Sequence, residues 1–228
     1  MALLLHIDTA TEHASVCLSN NRQIISYAEN ADPKNHGSFL QPAIQQLFQN
    51  TAYQLSDIDA ISVSNGPGSY TGLRVGLASA KGLCFALNKP LITLNTLQIM
   101  AEASVTHMQA TAFDTNYLFC PLIDARRMEV FTAIYDAQLT IVLQPMASII
   151  NETSFQEVLV TNKIVFTGSG HHKLQTMLQH PNAYYYNIQH NAKNMVSLAL
   201  ESIKQNTTAN LTYIEPFYIK AFFDGKKA

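Results

Sequence analysis

Charge is what this sequence has least of. Charged residues make up 13% of its 228 residues, about half the usual share. Two readings of so neutral a surface stand side by side. Either part of it is covered by a partner, or a large core is wrapped in Gln, Asn and Thr. The formal net charge is −2 and the basic residues are scattered, the nearest approach to a cluster being Lys220, Lys226 and Lys227. A chain that grips RNA by itself carries a basic patch, so only weak RNA binding is expected of this chain alone.

Cysteine is also scarce. Cys17, Cys84 and Cys120 sit in apolar runs and form no CxxC. They read as buried reduced thiols and fit a cytoplasmic protein. No apolar run reaches the length of a membrane span. The opening MALLLHIDTA is interrupted by Asp8 too soon to read as a signal peptide. There is no GK[ST] ending of a P-loop, no HExxH, and no convincing Ser/His/Asp order. Short-period repeats, low-complexity segments and long linkers are absent too.

What is present is a succession of short apolar strands and amphipathic helices, with hydrophobic residues at 47%. ALLLHID at 2–8, ASVCLS at 14–19 and RQIISYAE read as three meandering strands, with Asn20-Asn21 as a tight turn. Phe39, Leu40, Ala43, Ile44, Leu47 and Phe48 recur at helical spacing over 37–52, with Pro42 expected in the first turns. A strand at 60–64, the turn NGPGSYTG, a helix over 73–87, the strand PLITL and a helix over 96–107 follow. The second half repeats the opening. Strands are expected at 117–124, 129–135 and 139–143, then a helix at 154–159, a strand at 164–167, and a helix after Gly168-Ser169-Gly170. A last helix spans 193–205, and residues 211–223 carry the aromatic run YIEPFYIKAFF. LLLHID ending at Asp8 and LFCPLID ending at Asp124 look like copies. That pattern predicts an α/β chain of two sheet lobes with a cleft between them.

The densest motif is Gly66, Pro67, Gly68, Ser69, Tyr70, Thr71, Gly72, Leu73 and Arg74. Three glycines and a proline define an unusual backbone path from strand to helix. The N–H groups beyond it could hold an anion, or the segment is simply a tight structural turn. In the helix that follows, Gly72, Gly76, Ala80 and Cys84 recur every four residues, and Leu73 and Leu77 leave few polar sides. A helix so apolar is covered on both sides, by its own sheet and helix 37–52 or by another protein. Asp8 and Asp124 end buried strands, with Thr9 and Thr11 beside the first. Such aspartates place metal-bound phosphates or merely cap turns. His171 and His172 read as surface residues at a helix start, and His36 as a cap or a cleft residue.

The runs LLHIDTATEHASV, NHGSFLQP, SVSNGPGSYTGLRVGLASAKGL, PLITLNTL and LIDARRMEVF, in that order, resemble the TsaB (YeaZ) family from residue 3 to about 135. Beyond that point, VFTGSGHHK and PFYIKAF are looser matches. The resemblance implies the actin, sugar-kinase and Hsp70 superfold, built of two ribonuclease-H-like lobes with the second shortened. It places an N-terminal lobe at 1–99 and a C-terminal lobe at 100–228, whose tail can pack back on the first. It implies a partner subunit without catalytic activity, paired with its paralogue TsaD and with the ATPase TsaE. TsaD transfers threonylcarbamoyl to N6 of the adenosine next to the anticodon in tRNA, and binds a metal through a His-x-x-x-His pair. Here Thr96 and Met100 stand at those positions, so no metal is expected. Gly168-Ser169-Gly170 matches the superfold's adenine loop only in part.

By the same resemblance, helices 37–52 and 72–87 form the pairing surface, through Phe39, Ala43, Leu47, Gly72, Leu73, Gly76, Leu77, Ala80 and Cys84. The cleft and motif loops are Asp8, the 66–74 turn, Asp124 and Arg126. No cofactor is implied in the chain itself, with ATP or ADP at the junction with a partner left open. A homodimer is implied when the chain is alone, tRNA is met only through the complex, and no membrane is involved. The rival readings are an active kinase-like ATPase and a metallopeptidase of the same superfold.

Overall fold

Apolar runs buried on both faces alternate with half-buried strands and helices, and this pattern builds two sheets. A computed structural model describes residues 2–30, 36–110 and 116–220. Lys226, Lys227, residues 221–223 of the aromatic run and the side chain of His36 lie outside the described residues. The first sheet comprises β1 (Leu3–Asp8), β2 (Ala14–Asn20), β3 (Gln23–Asn30), β4 (Ala60–Gly66) and β5 (Leu91–Asn95). The second comprises β6 (Tyr117–Asp124), β7 (Glu129–Tyr135), β8 (Ile141–Ile149), β9 (Lys163–Thr167) and β10 (Ala183–Tyr185). Their strand orders, β3-β2-β1-β4-β5 and β8-β7-β6-β9-β10, are the same. In each, the first three strands pair antiparallel and the last two run parallel to the first. This is the duplicated two-sheet α/β plan that the matched openings at Asp8 and Asp124 predict.

Among the described residues six α-helices cover the sheets: α1 (His36–Gln49), α2 (Tyr70–Leu87), α3 (Thr96–Ala110), α4 (Gln156–Leu159), α5 (His171–Gln175) and α6 (Val196–Lys204). On one face of the first sheet, Leu3, Leu5 and Ile7 of β1 pack with Leu40, Ala43 and Leu47 of α1 and Leu77 and Ala80 of α2. On the opposite face, Leu4 packs with Ile92, Met195, Val196 and Ala199. Burial of both faces explains why β1 is apolar apart from His6 and Asp8. Helix α3 starts at the end of β5 and lays Leu97, Met100, Val105 and Met108 on Tyr117, Phe119 and Val165 of the second sheet.

Local departures from the sequence reading have local causes. Ser69 caps α2, its Oγ accepting from the Gly72 N–H at 3.2 Å, so the helix begins at Tyr70 rather than Leu73. Pro42 lies well inside α1 rather than in its first turns, on the exposed side. β8 continues to Ile149 through Pro145, which the edge of a sheet tolerates. The expected helix 193–205 splits into a 3-10 turn at Ala192–Met195 and α6. β10, three residues long, is too short to show a period. Helix α6 and residues 209–214 lie against the first sheet.

Candidate functional site

The 66–74 turn is built around the absence of side chains. Gly66 has φ +118°, and a Cβ there would collide with the carbonyl oxygen of Phe217. A Cβ on Gly68 would collide with the carbonyl of Ala10, which also accepts the Ser69 N–H at 2.7 Å. The Thr9 hydroxyl donates to the Gly72 carbonyl at 2.7 Å, and the same oxygen occupies the space a Gly76 side chain would need. Each of these glycines therefore admits another part of the same chain, the β1–β2 turn or residues near 217. Beyond them, the Arg74 guanidinium lies 3.9 Å over the Tyr70 ring, and its Nε–H donates to the Tyr218 hydroxyl at 3.1 Å.

The small-residue stripe, expected as part of the pairing face, faces inward. Gly72, Leu73, Gly76, Leu77, Ala80 and Cys84 are all buried within the chain, as are Ala43 and Leu47; Phe39 is half-buried. Small residues let α2 approach its own sheet closely, so this side of the helix is core. The opposite side is open. Phe85 is 84% exposed, Ala78 and Ala86 are exposed, and nothing lies within 4 Å of where a Gly82 side chain would stand. Next to it runs a groove of about 460 Å³ lined by Gln41, Pro42, Ile44, Gln45, Phe48, Leu55 and Leu83.

The two aspartates are engaged within the chain. Asp8 is wholly buried; its Oδ1 accepts the Ala10 N–H at 3.2 Å, and its Oδ2 lies 3.4 Å from Nε2 of buried His190. Neither of these last two atoms has a well-aligned hydrogen bond. Burial pushes the His190 pKa down, against the pull of Asp8 and with the help of His13. Thr9 is buried and Thr11 half-buried beside them. Asp124 is more exposed. Its Oδ1 meets Lys173 Nζ at 2.5 Å and accepts the Arg126 N–H at 2.7 Å. Partial burial opposes its ionisation, yet these donors and the Lys173 charge hold its pKa below the usual value. Arg126 and Arg127, at φ 70° and 48°, form the exposed tip of this turn.

Thr96 and Met100, where the resemblance led to the expectation of no metal, are not metal-binding in character. Thr96 and Met100 are both buried, and Met100 Cε fills the space beside Gly168, where a Cβ would collide with it. A hydroxyl and a packed thioether are poor replacements for two imidazoles. Among the described residues no group of three His, Cys, Asp or Glu side chains could hold a metal ion. The Gly168-Ser169-Gly170 loop is likewise filled from within. The Gly170 N–H donates to Leu122 O at 2.9 Å, and Ser169 Oγ accepts the Asp124 N–H at 3.0 Å. His171, read from sequence as a surface residue, is buried with Nδ1 2.6 Å from Gly168 O, whereas His172 is exposed. Sequence reading passed over His6, which is wholly buried between Ser62 Oγ at 2.7 Å and Ser19 Oγ at 2.8 Å. Its signal was one titratable residue inside an apolar strand. Burial pushes its pKa down to about 3.

Comparison with known proteins follows the same lines. A family model described as TsaD, tRNA N6-adenosine threonylcarbamoyltransferase, matches residues 29–220. The tRNA threonylcarbamoyladenosine biosynthesis protein TsaB of Escherichia coli is 36% identical over 132 residues, 58% of this chain and 54% of that protein. TsaB of Bacillus subtilis is 32% identical over 132 residues, with the same shares. The chain thus spans about half the length of the curated relatives it matches. A crystal structure from Pseudomonas aeruginosa, described as an uncharacterized protein with similarity to peptidase YeaZ, superposes with a TM-score of 0.83. It is 25% identical, and the match covers 96% of this chain and 100% of that one.

Proposed function

From the fact that this chain belongs to the TsaD family, with TsaB and YeaZ proteins as relatives, we propose that it is a non-catalytic partner subunit in tRNA threonylcarbamoyladenosine synthesis. In this reading it pairs with TsaD and with TsaE for transfer of threonylcarbamoyl to N6 of the adenosine beside the anticodon. Its place of work is the cytoplasm, and it meets tRNA only through the complex. Any ATP or ADP sits at a junction with a partner.

One observation carries the reading. The positions from which this superfold does chemistry are filled by the chain's own atoms, while an apolar helix side is left bare. Asp8 is closed off beside His190, and Met100 packs on Gly168. Phe85 stands out at 84% exposure on the outer side of α2, and Ile44, Phe48 and Leu83 line a groove between α1 and α2. Large apolar groups exposed beside a groove mark interaction surfaces. In this reading the pairing surface is the outer side of the two helices, and the same side serves a homodimer when the chain is alone.

The experiment is a reconstitution of tRNA modification from this chain, TsaD and TsaE, with each omitted in turn. Modification should require all three, and this chain alone should neither modify tRNA nor hydrolyse ATP. Undiminished modification without it would overturn the reading. Turnover by the chain alone would instead favour the kinase-like ATPase or metallopeptidase.

A further inference from the structure

Residues 209–220 contain no helix or extended strand, yet they are tied to both sheets. The Ala209 N–H donates to Leu91 O at 2.8 Å, forming a bridge on the edge strand β5. Leu211 and Ile214 pack as half-buried residues on the core beneath α1 and α2, and Lys81 Nζ donates to the Ile214 carbonyl at 3.2 Å. The Phe217 N–H then donates to Asn65 O at 2.7 Å, and the Phe217 carbonyl takes the space left by Gly66. The Tyr218 hydroxyl accepts from Arg74, with its ring 5.3 Å from Tyr70. Last, Lys220 Nζ reaches Glu129 Oε1 at 2.5 Å, on β7 of the other sheet.

We propose that residues 214–220 are a releasable clasp: an intramolecular ligand of the glycine turn that holds the two sheets in one relative position. Its seat is built to receive it. Gly66 is the last residue of β4, and only a residue without Cβ leaves room for the Phe217 carbonyl. Its grip is light. Phe217, Tyr218 and Lys220 are exposed, and among the described residues one backbone hydrogen bond, from the Phe217 N–H, ties residues 215–220 down. Segments with few buried apolar contacts open at low free energy, independently of the core. Opening would bare the start of α2, including Tyr70 and Arg74, and would cut the link to β7. The glycine motif and the C-terminal segment are thus two halves of one device.

The test compares the full-length chain with a Phe217→Pro variant, which removes the N–H donated to Asn65 and touches no core side chain. Hydrogen–deuterium exchange should accelerate about tenfold in 209–220 and in the 66–74 turn, the scale of one lost hydrogen bond. Amides of β1 and β4 up to residue 64 should keep their protection. Spin labels at the exposed positions Gln49 and Gln138 should show a broadened or shifted distance distribution. Lys220→Glu and Glu129→Lys should each reproduce part of this, and the double swap should restore the parent behaviour. Unchanged exchange in 209–220, or an unchanged label distance, would overturn the clasp. Equal loss of protection in β1 and β4 would overturn it as well, by making the segment part of the core.

Discussion

The Thr9 hydroxyl and Gly76 share one space: the oxygen that donates to Gly72 O at 2.7 Å stands where a Gly76 side chain would begin. This contact decides which side of α2 is core. Gly76→Leu, or Ala80→Leu one turn on, should destabilise the isolated chain. Overpacking of this kind costs roughly 1–3 kcal/mol. Urea unfolding is the measurement. A variant of unchanged stability that has lost its partners would return the stripe to the surface.

Phe85 should behave in the opposite way. With 84% of it exposed, Phe85→Glu removes little burial, and stability should stay within about 0.5 kcal/mol of the parent. Self-association and TsaD binding, followed by sedimentation, should be lost. Undiminished pairing would place the interface elsewhere.

Thr96 offers a third test. Its Oγ1 is buried with no hydrogen-bond partner, while the N–H of Leu97 is capped by Asn95 Oδ1 at 2.9 Å. A buried, unpaired hydroxyl carries its full desolvation penalty, about 1–3 kcal/mol. Thr96→Val, nearly equal in volume, should therefore raise the unfolding midpoint. A lower midpoint would mean that the hydroxyl has a partner.

Stability should fall on acidification below pH 6.5. In the unfolded chain His6 binds a proton near its ordinary 6.5, while the folded environment holds its pKa at about 3. Between those limits the unfolded state carries more protons, so each unit of falling pH removes about 1.4 kcal/mol. His190, also lowered by burial, acts in the same direction. Denaturant midpoints at pH 7.5 and 5.5 measure the slope. His6→Gln should lower stability at pH 7.5, where it disturbs the bonds to Ser19 and Ser62, but flatten the slope. An unchanged slope would assign the effect to other groups.

Much of the architecture was legible in the residues themselves. The paired strand–Asp openings at Asp8 and Asp124 announced two equivalent sheets, because a strand buried on both faces is mostly apolar. The expected turn at Asn20-Asn21 lies one residue further on, at Asn21-Arg22, because Asn20 still pairs with Gln23; its local cause was legible, since Asn tolerates the left-handed backbone that Asn21 adopts at φ 50°.

Direction was not legible. The spacing of Gly72, Gly76, Ala80 and Cys84 marks a side of close approach, and it reads the same whether the neighbour is Thr9 of this chain or another protein. Likewise, three glycines in a turn announce that something comes close without saying what. Only the tertiary structure decided that Gly66 receives Phe217, that Gly68 receives Ala10, and that His190 closes over Asp8. These partners lie 58 to 182 positions apart in the chain. Periodicity and propensity report on neighbours within a few residues. Contacts at such separations are selected by how the two sheets, α3 and the returning C-terminal segment pack together, and that choice belongs to the folded chain as a whole.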